Sequence, residues 1–294
     1  MKFRHWMEYG FSLAFFWIFR LLPRPVALES GAVLGQFAWW LGIRKKQVLT
    51  NLASVFPELS VSERKNLAVR SARNFGRTVA EYARASGSDK NKLNKFVEVV
   101  GGEALKSALQ EKRGALIVTG HLGSWALYMG ALRLIGVSPV LLVGRHHNPK
   151  FDQLILNIPG KDAQLISKGP TAPRHVLKCL KENKAVVMVA DQHSSMGLQS
   201  SFLGHPAMTL ALPGAIIAKH QVPLFLLNGY RVRGGQHLMT LKKIEIPEGL
   251  SRDELRQKVT DQCNLEIGDT ILSHPDQYFW YHRRWRVKPN KIER

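Results

Sequence analysis

Acidic residues and cysteines are scarce in this chain of 294 residues. The two cysteines, Cys179 and Cys263, lie far apart and in no metal-ligand spacing. That excludes a disulfide framework and a cysteine-based zinc site, and it fits a reducing compartment. Long uncharged apolar runs are missing too. In "FSLAFFWIFRLLPRPVALESGAVLGQFAWWLGIRKK" Arg20, Arg24 and two prolines break the hydrophobic stretch before it reaches the roughly 18 residues of a comfortable membrane span. No small-residue cleavage site follows the first run, which argues against a removed signal peptide. No Gly-rich phosphate loop precedes a Lys-Ser or Lys-Thr pair, no His-Cys cluster offers metal spacing, and no G-x-S-x-G elbow is present. Internal repeats and low-complexity tracts are absent as well.

What the chain has in excess is positive charge: 42 Lys and Arg against 22 Asp and Glu, a formal charge of +20. Such a balance favours anionic partners, whether phospholipid headgroups, nucleic acid or an acidic protein. The N-terminal stretch, rich in Phe and Trp with cations at its ends, suits the membrane interface, where aromatic rings and long basic side chains sit at headgroup depth. An ordinary pair of core helices is the competing reading. Residues 1–45 are therefore expected to form a membrane-associated helical arm, and 46–294 a single α/β domain.

Beyond the arm, 48–87 has helical periodicity, with Ser60 or Ser62 placed to cap a helix that carries Glu63 in its first turns. Strands and helices then alternate. "ALIVTG", "SPVLLVGR", "AQLISKG" and "AVVMVADQ" read as strands, and "PLFLLNGYRVRGG" with "QHLMTLKKIEIP" as a closing antiparallel pair. Apolar runs that do not alternate are the mark of strands buried on both faces. The expectation is an α/β layered domain with a mixed, mostly parallel sheet flanked by helices.

In open α/β sheets ligands bind at the carboxyl ends of the strands. His121, Arg145 and the pair Asp191-Gln192 fall there. His121 is suited to general base work, although a lone His beside a strand is more often structural. Ser124 sits where an N-cap belongs and not at the centre of a nucleophile turn. Backbone amides after Gly123, with Arg145, are candidates to hold an oxyanion, and Asn148 is placed to cap a helix starting at Pro149. Asp191 and Gln192 either orient an acceptor or tie down the "HSSMGLQSS" loop, itself a candidate mobile cover. The apolar helix "WALYMGALRLIG" lines a ligand pocket or simply packs the core.

The segments "TGHLGSWAL", "GRHHNPKFDQLI", "VADQHSSMG", "SFLGHPAMTLALPGAIIAKHQVPLF", "PDQYFWYHRRWRVKP" and "NLASVFPELSVSERKNLAVRSARNFGRT" together resemble, in order and spacing, the bacterial lipid A biosynthesis (lauroyl and myristoyl) acyltransferases of the lysophospholipid acyltransferase superfamily. The resemblance implies transfer of an acyl chain from acyl-carrier protein or acyl-CoA to a hydroxyl of a lipid A precursor or related glycolipid. It implies no metal and no organic cofactor, and a location on the cytoplasmic face of the bacterial inner membrane. It also implies a His-x4-acid motif in which His121 is the base. Here the sequence departs from the family, because Ala126 stands where Glu or Asp is expected. With no carboxylate to fix and charge the imidazole, the chain is expected to be an inactivated form. A divergent member that is inactive or borrows another acid, such as Asp191, and a non-catalytic lipid-binding relative are the alternatives. The basic tail "YHRRWRVKPNKIER" is expected to form a rim attracting acidic carrier protein, anionic lipid and phosphorylated acceptor. A nucleic-acid role is discounted because no nucleic-acid module accompanies that tail.

Overall fold

The computed structural model describes residues 3–85, 93–144 and 163–286. Four helices lead: α1 (Phe3–Leu21), α2 (Arg24–Trp40), α3 (Lys45–Val55) and α4 (Val61–Ala85). Ser60 and Glu63 form the expected cap, with the Ser60 amide 2.8 Å from the Glu63 carboxylate and the Glu63 amide 3.2 Å from the Ser60 hydroxyl. Then follow β1 (Val97–Val100), α5 (Gly102–Gln110), β2 (Ala115–Thr119), α6 (Trp125–Ala131), β3 (Pro139–Val143), β4 (Gln164–Ser167), α7 (Ala172–Lys181) and β5 (Ala185–Val189). The chain continues through β6 (Leu198–Phe202), β7 (His205–Thr209), α8 (Leu212–His220), β8 (Leu224–Arg231), β9 (His237–Ile244) and α9 (Arg252–Ser273).

Among the described residues seven strands form one sheet in the order β1-β9-β8-β2-β5-β3-β4. All neighbours run parallel except the β8–β9 pair, as the sequence predicts. Because side chains alternate across a strand, Leu116 and Val118 of β2 feed one apolar layer while Ala115 and Ile117 feed the other. Both faces are buried, and this accounts for the unbroken hydrophobic runs. One feature departs from expectation: part of the stretch read as a mobile cover forms β6, which pairs antiparallel with β7. Asn264 of α9 and Arg284 pin this hairpin through Ser200, Thr209 and Met208.

The long helix α4 organises the rest because its two faces carry different chemistry. One face is small: Ala72, Gly76 and Ala80, four residues apart, meet Gly31 and Gly35 of α2 at backbone distance. A β-carbon on Gly76 would fall on the Gly31 carbonyl oxygen. This is the close approach that small residues at i, i+4 spacing allow. The other face is polar: Ser71, Asn74, Thr78 and Glu81 recur at helical spacing. Ser71 donates to the Tyr278 carbonyl, Asn74 to Asp276 and Thr78 to the Gly123 carbonyl. Glu81 takes Arg231 at 2.7 Å and His237 at 2.7 Å, and His237 in turn meets the Tyr128 hydroxyl at 2.9 Å. Burial pushes the Glu81 carboxyl up, but the Arg231 guanidinium and then the His237 ring outweigh it and leave it well below the ordinary carboxylate range.

Packing α2 on α4 turns other side chains outward. Trp17, Ile18 and Leu21 of α1, with Val33, Phe37 and Trp40 of α2, are exposed. Among the described residues no single helix is long and apolar enough to cross a membrane. The pair α2–α3 passes together by length and composition, but it is bent by 95°.

Two outcomes follow for stability. On helix propensity alone Gly76→Ala should gain about 1 kcal/mol. Because the added carbon collides with the Gly31 carbonyl, a loss of roughly 1–3 kcal/mol is expected instead in chemical denaturation, and a gain would disprove the close packing. Glu81 has a depressed folded pKa, so its contribution is present above its unfolded value near ~4.3 and is lost as pH falls below it. Glu81→Gln should therefore cost roughly 3–5 kcal/mol at pH 7 and flatten the acid side of the stability curve. Parallel curves for the two proteins would remove Glu81 from that role.

Candidate active site

The register of the sheet builds the site. Thr119 pairs with Val189 on the parallel neighbours β2 and β5, so the residues two places beyond each strand end, His121 and Asp191, emerge side by side. The Asp191 carboxylate grips His121 at two points: Oδ2 accepts the His121 amide at 2.8 Å and Oδ1 lies 2.8 Å from the ring Nδ1. Asp191 is fully buried and the His121 side chain 14% exposed. Burial alone would push the Asp191 carboxyl up, but the His121 ring and its hydrogen bonds, with a smaller pull from His282, hold it well below the usual carboxylate range. It is therefore an anion at neutral pH. With Nδ1 facing that anion, Nε2 is turned towards Gln192.

Around Nε2 stand Gln192, which the sequence places at this edge, and His282 and Trp125, which the sequence reading did not single out. The Gln192 amide nitrogen lies 3.3 Å from His121 Nε2 and 2.8 Å from His282 Nε2. The His282 ring packs edge-on against His121 with centroids 4.8 Å apart, and Trp125 does so at 4.9 Å. Burial, and then the neighbouring His121 ring, push His282 down to about 4, so it is neutral at physiological pH. Phe279, Phe75 and Tyr82 complete an aromatic wall around Trp125.

His282 and Phe279 arrive on a C-terminal strap, residues 275–286. Leu122 bridges Tyr278, the Phe279 amide donates to the His121 carbonyl at 3.1 Å, and Asn51 donates to the Trp280 and His282 carbonyls. The expectation of a basic rim is thereby corrected for the described part of this segment. Arg284 is buried, donating to the Gln192 and Met208 carbonyls and the Thr209 hydroxyl, while Arg283 and Arg286 remain exposed. A run of five aromatic rings beginning at Tyr278 was the overlooked signal, since so much apolar area seldom stays in water.

The turn after His121 also differs in detail. Ser124 occupies the N-cap position of α6, but its hydroxyl makes no capping bond and is buried without a partner. Gly123 has φ +57, where a β-carbon would strike the Tyr128 hydroxyl. Three amides of this turn are already engaged: Gly123 donates to the Gln277 carbonyl, Ser124 to Tyr128 Oη at 3.1 Å and Ala126 to Tyr82 Oη at 3.2 Å. Ala126 itself is half-buried against the apolar layer that α6 packs. Leu127, Met129 and Leu132 are core residues, which favours the packing reading of this helix. Arg145 and Asn148 lie outside the described residues. Among the described residues no cluster of His, Cys, Asp or Glu could hold a metal ion.

The arrangement provides an imidazole, oriented by a buried anion, at the carboxyl edge of a parallel sheet. The chain is similar along nearly its whole length to three lipid A biosynthesis acyltransferases. The chain is 26% identical to the lipid A biosynthesis palmitoleoyltransferase of Escherichia coli (strain K12), over 97% of this chain and 93% of that protein. It is also 26% identical to the lipid A biosynthesis lauroyltransferase of the same organism, over 98% and 94%, and to a lipid A biosynthesis acyltransferase of Shigella flexneri, over 97% and 93%. With residues 1–287 matched by the model of the bacterial lipid A biosynthesis acyltransferases, the chain belongs to that family.

Proposed function

We propose that the chain is an active O-acyltransferase that moves a fatty acyl group from an acyl-carrier-protein or acyl-CoA thioester to a hydroxyl of a lipid A precursor or related glycolipid. The observation that carries this reading is the two-point contact between Asp191 and His121. It bears directly on the expected inactivation at Ala126, whose premise was an imidazole without a carboxylate partner. Asp191 supplies that partner from the adjacent strand end, so the borrowed-acid alternative is the one the geometry favours.

In this mechanism His121 Nε2 takes the proton of the acceptor hydroxyl while the oxygen attacks the thioester carbonyl. The new C–O bond forms, the tetrahedral intermediate collapses, the C–S bond breaks, and the imidazolium returns its proton to the departing thiolate. Asp191 stabilises the transient imidazolium and keeps Nδ1 as the donor. Gln192 and the neutral His282 position the ring without competing for the proton. Arg145 stays the candidate for polarising the carbonyl. No cofactor enters the scheme.

Residues 1–45 act as the docking arm on the cytoplasmic face of the inner membrane. The exposed aromatic and aliphatic side chains of α1 and α2 enter the interface, and the surplus cations attract anionic headgroups. A second reading, a lipid-binding relative without chemistry, draws its support from Ala126.

The readings separate in an assay with acyl-carrier-protein thioester and lipid A precursor. The unmodified chain should turn over. His121→Ala should lose roughly 10²–10⁴ in kcat with acceptor affinity little changed, and Asp191→Asn at least about a hundredfold, by loss of the same proton transfer. Ala126→Glu should alter the rate less than Asp191→Asn does. An inactive parent that Ala126→Glu brings to life would overturn the role given to Asp191, and inactivity in every variant with tight lipid binding would establish the second reading. For the arm, the double variant Phe37→Glu, Trp40→Glu should no longer float with vesicles containing anionic lipid. Undiminished flotation would place the membrane contact elsewhere.

A further inference from the structure

One corner of the surface carries charge of a single sign. Where α2 gives way to α3, Arg44, Lys45 and Lys46 follow one another, and no Asp or Glu occurs between Glu29 and Glu58. Arg44 and Lys46 are exposed and Lys45 is partly so. The contacts that Arg44 and Lys45 make are with uncharged groups: Arg44 donates to the Tyr281 carbonyl at 3.3 Å, and Lys45 lies 5.2 Å over the Trp39 ring. Helix stability does not account for these cations. Positive charge is unfavourable at this end of a helix, α3 has no acidic residue in its first turn, and its N-cap makes no side-chain bond. Charges kept against a local rule belong to functional surfaces.

The corner lies against the strap that closes the His121 site. Besides the Arg44 contact, Asn51 of α3 donates to the Trp280 and His282 carbonyls, and the Arg44 charge is felt at the His282 ring. The strap adds exposed cations of its own, Arg283 and Arg286, and the Arg286 charge is felt at His193, the residue after Gln192. Between Asp276 and Glu293 the sequence again has no acid. Five cations thus follow one helix and one strap, and that strap carries the ring that packs against His121.

An anionic bilayer, a phosphorylated small molecule and an acidic protein would each answer such charge. The shape of the face chooses among them. Helix α3 is turned 95° from α2, and its open side is a shallow recess lined by Gly42, Lys45, Lys46, Leu49, Thr50 and Ala53. It carries none of the aromatic rings that α2 exposes in Phe37 and Trp40, the kind that a bilayer interface takes up. The 11 residues of α3 extend over about 16 Å, and the cations continue along the strap, a span longer than one phosphate group occupies. A row of carboxylates on a protein surface fits both the length and the recess. On the acyl-transfer reading given above, we infer that the face formed by α3 and the strap is the docking surface for an acidic acyl-carrier protein, which presents its thioester to His121 from the His282 side.

Fluorescence anisotropy of labelled, acylated carrier protein, titrated with the full-length protein in non-ionic detergent, reads this contact without turnover. Binding should be saturable and should weaken steeply with added salt. Lys46→Glu should raise the dissociation constant by about tenfold or more, and Lys46→Ala by less. Lys243→Glu, the same charge reversal at an exposed position on β9, should change nothing. Equal weakening by Lys46→Glu and Lys243→Glu would reduce the effect to overall charge and overturn the surface. In the transfer assay Lys46→Glu should raise KM for the carrier-protein thioester without slowing transfer from acyl-pantetheine, which offers the same thioester and no protein. Equal loss with both donors would make Lys46 a structural residue and overturn the docking role. Undiminished carrier binding by Lys46→Glu, with flotation on anionic vesicles lost, would give the corner to the membrane instead. His121→Ala should bind the carrier protein as the parent does, so failure of acyl transfer and failure of this surface are read independently.

Discussion

One buried carboxylate, held by two N–H groups of a single residue, underlies the arrangement at the sheet edge. Asp191 accepts the amide and the ring nitrogen of His121 with separate oxygens, and so sets the turn's backbone and the imidazole's orientation together. An isolated anion at zero exposure would be expensive. Here charge-assisted hydrogen bonds offset that cost, and the sheet register supplies the partner without any long-range adjustment. A pair so formed is rigid because the strands beneath it are.

The molecule repeats this device on its other side. Glu81 is also a buried anion, neutralised by Arg231 and tied through His237 to Tyr128, whose hydroxyl receives the Ser124 amide. The turn carrying His121 is thus held between two carboxylates, one from β5 and one from α4. Helix α4 carries much of this burden, since its polar stripe reaches the strap and the turn while its small-residue stripe accepts α2. One helix therefore couples the apolar outer surface of α2 to the residues around the imidazole.

Much of this was legible in the residues. Non-alternating apolar runs gave the sheet, the Ser60–Glu63 pair gave the start of α4, and the strand-end positions singled out His121 and Asp191 as neighbours of a common edge. Their pairing could be named from the sequence only as an alternative to inactivation at Ala126. The β2–β5 adjacency depends on strand order, which local pattern does not encode, and so the search for a carboxylate looked along α6 and found Ala126. The strap was misread for a related reason: Arg283, Arg284 and Arg286 look alike in sequence, yet Arg284 is buried because β7 and α9 present acceptors that lie distant along the chain. The β6–β7 hairpin escaped notice because Ser and Gln make up most of its first strand and contacts with α9 hold it.

The strap has a consequence for how the protein comes into being. Residues 275–286 leave the ribosome after every element they clamp, and His282, Phe279 and the Arg284 anchor come with them. Until then His121 and Asp191 can pair, but Gln192 lacks its second imidazole, Asn51 and Ser71 lack their acceptors, and one side of the aromatic wall is open. Vectorial synthesis thus orders events: the helices that precede the sheet emerge first, the His121 ring stays uncovered on one side, and the strap then furnishes the enclosure.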